Sequence, residues 1–119
     1  MADDRSQTPA ASISTGAVRL LHEYTGRGPT KARTTINHDS VMIVVADTLT
    51  KGERSLVENG KAEQVLTTRH DFQEVMSDDL TKLVERTLDR KVIAFMSDNH
   101  INPDIGVEVF VLEPEGRPE

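Results

Sequence analysis

The sequence predicts an α+β fold in two layers: a four-stranded, largely antiparallel sheet made of two hairpins, with helices on one face, in the order α-β-β-α-α-β-β. Three observations carry that expectation. An amphipathic segment ends at Tyr24 and is cut off by Gly26-Arg27-Gly28-Pro29. Three later runs are short and rich in β-branched residues, and a long stretch between them keeps a helical stripe.

The first helix starts at Thr8-Pro9, where a threonine oxygen caps free amides and proline at the first turn lacks only a proton that had no partner. Ile13, Ala17, Leu20, Leu21 and Tyr24 fall on one face of it, and Arg19, His22 and Glu23 on the other. Gly16 inside it is unfavourable for a helix. Gly26 can take the left-handed conformation that closes a helix and Pro29 cannot continue one, so the corner stops the helix before a strand begins near Lys31.

From Lys31 to Asn37, Lys31, Arg33, Thr35 and Asn37 alternate with Ala32, Thr34 and Ile36, the period of two expected of a half-buried strand. His38-Asp39-Ser40 is the hairpin turn. The run Val41-Met42-Ile43-Val44-Val45-Ala46 is almost continuously apolar, which places it inside the sheet with both faces covered.

Thr50-Lys51-Gly52-Glu53 matches a capping box, opening a short helix that stops at Asn59-Gly60. A longer helix is expected from about Lys61 to Leu88, with Val65, Phe72, Val75, Met76, Leu80, Leu83, Val84 and Leu88 on one broad stripe. At ~1.5 Å per residue it spans about 40 Å, more than one small domain requires, and this points to a homodimer. Val92–Met96 and Val107–Leu112 read as the last two strands, separated by the turn formers Ser97 to Asp104. The expected organisation is a flexible N-terminus over 1–8, a single domain over 9–112 and a disordered tail over 113–119, which has no apolar residue to anchor it.

Composition excludes several functions. The 119 residues contain no cysteine, so disulfides and thiolate metal sites are unavailable and a cytoplasmic setting fits. No run approaches the ~18 apolar residues of a membrane span, and the first residues lack a signal-peptide pattern, so no direct membrane insertion is expected. The net charge of −6 repels phosphate backbones, and Tyr24, Phe72, Phe95 and Phe110 are all assigned to the core, which disfavours nucleic acid as a partner. No nucleophile elbow or phosphate-binding glycine loop occurs, since Gly-Arg-Gly-Pro precedes a strand instead of opening a helix. Asp78-Asp79 on the long helix point about 100° apart and read as solvated charges, not paired acids. No catalytic residue and no cofactor is assigned.

Two sets of residues invite a sharper reading. Arg27 and Arg33, with Arg69 from the long helix, could hold a small anion such as a carboxylate, phosphate or bicarbonate, because the guanidinium fork pairs two oxygens and stays charged. Against this, Arg27 follows a helix C-terminus, whose dipole repels anions and whose free carbonyls it can bond. His38-Asp39, His70-Asp71 and Asp98-Asn99-His100 each set an imidazole beside a carboxylate, as a metal-dependent hydrolase would require. No His-x-x-x-His lies on a helix face, however, and two of the pairs fall in expected turns, so no metal ligand is assigned.

Tyr24-Thr25-Gly26-Arg27-Gly28-Pro29, Ala32-Arg33-Thr34, Val41-Met42-Ile43-Val44, Leu49-Thr50-Lys51-Gly52-Glu53, Lys91-Val92-Ile93 and Val109-Phe110-Val111-Leu112 together resemble the MpsC family. This family of small bacterial domains, first catalogued as a domain of unknown function, is named for a Na+-translocating membrane-potential-generating system. The likeness runs from about Ser12 to Leu112, and Gly26, Arg27, Gly28, Pro29 and Arg33 match its motif. It implies a non-enzymatic accessory or regulatory module, linked to a membrane system that moves sodium or inorganic carbon, or to a signalling protein partner.

Overall fold

A computed structural model describes residues 7–26 and 31–115. Helix α1 spans Pro9–Thr25. Thr8 caps it by accepting the Ala11 amide at 3.1 Å, and Gly26, at φ 76°, closes it by donating its amide to the His22 carbonyl. The helix stop expected of the glycine corner is therefore present at Gly26; Arg27, Gly28 and Pro29 lie outside the described residues.

Strands β1 (Lys31–Asn37) and β2 (Ser40–Ala46) form the first hairpin, turning at His38 and Asp39 with His38 at φ 54°. Helix α2 (Lys51–Glu58) begins at the expected capping box, in which Glu53 donates its amide to Thr50 Oγ1 and Glu53 Oε1 accepts the Thr50 amide. Helix α3 covers Ala62–Leu88, and strands β3 (Val92–His100) and β4 (Ile105–Leu112) complete the chain. The sheet order is β1-β2-β4-β3, with every neighbouring pair antiparallel. Element order and fold class are those the sequence predicts.

Helices α1 and α3 cover one face of the sheet. Ile13 and Ala17 from α1, Met76, Leu80 and Val84 from α3, and Val41, Ile43, Phe110 and Leu112 from the central strands form the core. The Phe95 and Phe110 rings pack 5.0 Å apart within it, a tilted pair of the kind aromatic rings prefer. Two polar clamps hold α1 in place: Ser14 Oγ lies 2.7 Å from Thr34 Oγ1 of β1, and Tyr24 Oη donates to Asp79 Oδ2 of α3 at 2.7 Å.

Four expectations need correction. Strand β2 is central but is covered on one face only: Val41, Ile43 and Val45 are buried, whereas Met42 is 40% exposed on the other side. An unbroken β-branched run reads the same whether one face or two is covered, because every position is apolar in either case. Strand β3 continues through Ser97, Asp98, Asn99 and His100, and the turn is only Ile101–Asp104, because Asn99 finds a partner on α3 and no longer needs water. Val75 is 62% exposed, and Gln73 takes its place on the buried stripe of α3. Asp79, read as a solvated charge, is half-buried and engaged by Tyr24.

Candidate functional site

Polar side chains concentrate where the β2–α2 connection, the first half of α3 and the β3–β4 turn meet. Asp104, in that turn, accepts the Leu49 amide at 2.8 Å and the Thr48 hydroxyl at 3.1 Å. Arg69 of α3 donates to Thr48 Oγ1 and reaches Glu53 Oε1 at 3.2 Å. Both ends of the guanidinium fork are thus taken up, in a pair whose side chains are 14% and 20% exposed. The same Glu53 oxygen closes the capping box, so one carboxylate fixes the start of α2 and its docking on α3 together.

One helical turn further along α3, Gln73 and Asn99 exchange amide hydrogen bonds at 2.9 and 3.4 Å. Gln73 Nε2 also donates to Glu108 Oε2 at 3.3 Å. Glu108 sits on the covered face of β4, 4% exposed, and its Oε1 has no hydrogen-bond partner. Burial disfavours the charged form and pushes its pKa up to about 7, with the Gln73 hydrogen bond acting in the opposite direction. A buried carboxyl of this kind holds or releases a proton near neutrality.

The residues singled out from sequence are not gathered at one place. Arg33 is exposed on the open side of the sheet, and Arg69 lies on the helix-covered side, so the sheet separates them; Arg27 is outside the described residues. His38 is in the hairpin turn, and its neighbour Asp39 is held at 2.7 Å by Arg90, which also donates to the His38 and Glu113 carbonyls. His70 is exposed on α3, 3.8 Å from Glu74, and His100 Nδ1 lies 2.8 Å from the Pro103 carbonyl. Among the described residues no group of three or more His, Asp or Glu side chains could hold a metal ion.

Sequence reading missed Thr48, Gln73, Asp104 and Glu108, and set Asn99 in a turn beside a candidate metal pair instead of against α3. A signal existed for two of them. Period two along β4 sets Glu108 on the face of Phe110 and Leu112, and helical spacing sets Gln73 between Arg69 and Met76.

The fold and site define a small α+β domain whose buried polar groups join its elements to one another. The chain belongs to the MpsC family, described as Na+-translocating membrane potential-generating system (MpsC), whose profile matches residues 6–114. No curated protein and no solved structure matches it. Among the described residues, no helix is long and apolar enough to cross a membrane.

Proposed function

We propose that the chain is a non-enzymatic accessory or regulatory module, acting on the cytoplasmic side with the potential-generating membrane system for which its family is named. The observation that carries this reading is the employment of its polar groups. Arg69, Glu53, Thr48 and Asp104 tie α2, α3 and the β3–β4 turn together, and Arg90 with Asp39 ties the hairpin turn to the end of β4. Groups committed to such joints serve a scaffold that works by contact, whereas acid–base or metal chemistry needs side chains converging on a substrate.

The test is a cell deleted for the chain, with membrane potential read by a dye at high and low sodium. The accessory role predicts a sodium-dependent loss of potential that the wild-type chain restores. A chain carrying His38→Ala, His70→Ala and His100→Ala should restore it equally. Failure of that variant, once it is shown to be folded, would favour the hydrolase that uses His/Asp pairs. Anion sensing is a narrower second reading. It rests on Arg33, since Arg69 is occupied by Glu53 and Thr48.

A further inference from the structure

An antiparallel sheet with one wet face shows polar residues outward at every second position. The two central strands here do not. On the face away from the helices, β2 shows Met42 and Val44, β4 shows Val107 and Val109, and β3 adds Met96, which is 53% exposed. A contiguous apolar area of this kind marks an interaction surface.

Its charges are arranged by edge. Along β1 the open face carries Lys31 and Arg33; along β3 it carries Asp98 and His100. Register places Arg33 beside Val44, Val44 beside Val107 and Val107 beside Asp98, so the base and the acid end one row that crosses the whole sheet. The chain's net charge is −6, yet among the described strand residues the acid on this face is Asp98 alone, so most of the described negative charge that would repel an identical chain lies elsewhere.

We propose that a second copy of this chain docks on the open face, sheet upon sheet, about a twofold axis parallel to the strands that sets Arg33 of each copy over Asp98 of the other. Packed sheets lie about 10 Å apart with strands within about 30° of each other, a distance over which facing side chains interdigitate. A twofold axis parallel to the strands carries the β1 edge of one copy over the β3 edge of the other, at the same height along the strands. Two reciprocal ion pairs then flank an apolar centre, the arrangement of an isologous interface with a polar rim. The twofold perpendicular to the strands would instead lay basic edge on basic edge. Charge complementarity therefore selects both the occupant and its orientation.

Sedimentation equilibrium of the full chain at micromolar concentration tests this. The wild type should be a dimer, and Val109→Lys should be a monomer with an unchanged helical circular-dichroism spectrum. Arg33→Asp should weaken dimerisation about tenfold or more, and adding Asp98→Arg should restore it to within a few-fold. Within one chain the two positions are three strand spacings apart, about 14 Å, beyond ion-pair contact, so recovery reports pairing between copies. A wild-type monomer, with the face left to another protein, overturns the proposal. So does a charge swap that fails to recover, or a dimer indifferent to Val109→Lys.

Discussion

Gly16 of α1 lies so close to Leu83 of α3 that a Cβ on Gly16 would stand 2.6 Å from Leu83 Cδ1 and 2.9 Å from Cδ2. A glycine unfavourable for the helix by itself leaves the room that the Leu83 side chain fills where the two helices meet. Gly16→Ala gains about 1 kcal/mol of helix propensity, against an overpacking cost of about 1–3 kcal/mol, because Leu83 is only 7% exposed and must turn away. The expected result in chemical denaturation is a net loss of about 1 kcal/mol. In a Leu83→Ala background the clash is gone and the same substitution should stabilise. A gain in both backgrounds would show that the approach of the helices is not limiting.

Glu108 makes stability depend on pH with a definite sign. Its folded pKa of about 7 lies above the ordinary carboxyl value of 4.5, so the folded state holds the proton more tightly. The stability tied to the protonated carboxyl is fully present below about 4.5 and is lost as pH rises through about 7. The loss amounts to about 3 kcal/mol. Glu108→Gln keeps the shape without the charge, so its advantage over the wild type should grow between about pH 4.5 and 7 and stay constant above that. Parallel profiles for the two proteins would mean that Glu108 is solvated when ionised.

Arg69 should matter most to α2, which has no buried residue of its own. Arg69→Met removes the bonds to Glu53 and Thr48 and should cost about 1–3 kcal/mol. Hydrogen exchange should then show α2 amides losing protection more than the β2 and β4 amides, since local opening follows the weakest docking. Equal loss across the molecule, or none in α2, would contradict the role assigned to this guanidinium.

What could be read from the sequence was local. Thr8, Gly26 and the Thr50–Glu53 box announce helix ends because a cap uses residues within three or four positions of one another. Hairpin β1–β2 is legible through the alternation of its first strand and the turn formers His38-Asp39-Ser40, although Ser40 already belongs to β2. Long-range partners were not. Ser97 to His100 look like turn formers until Asn99 is given Gln73 to bond, and Gly16 looks like a flaw until Leu83 is placed against it. Glu108 shows the same limit: its face follows from alternation, but its proton affinity follows from α3 lying over it.

The claim that the two sheet faces have different occupants, helices on one and a second copy on the other, can be probed without disturbing native thiols, since the chain has no cysteine. Chains carrying Arg33→Cys and chains carrying Asp98→Cys would be mixed, allowed to exchange subunits, and treated with a short bifunctional maleimide. The account predicts cross-linked dimers in the mixture and almost none in Arg33→Cys alone, where the two thiols of a dimer stand about 14 Å apart across the sheet. Equal cross-linking in both samples, or none in either, would contradict it.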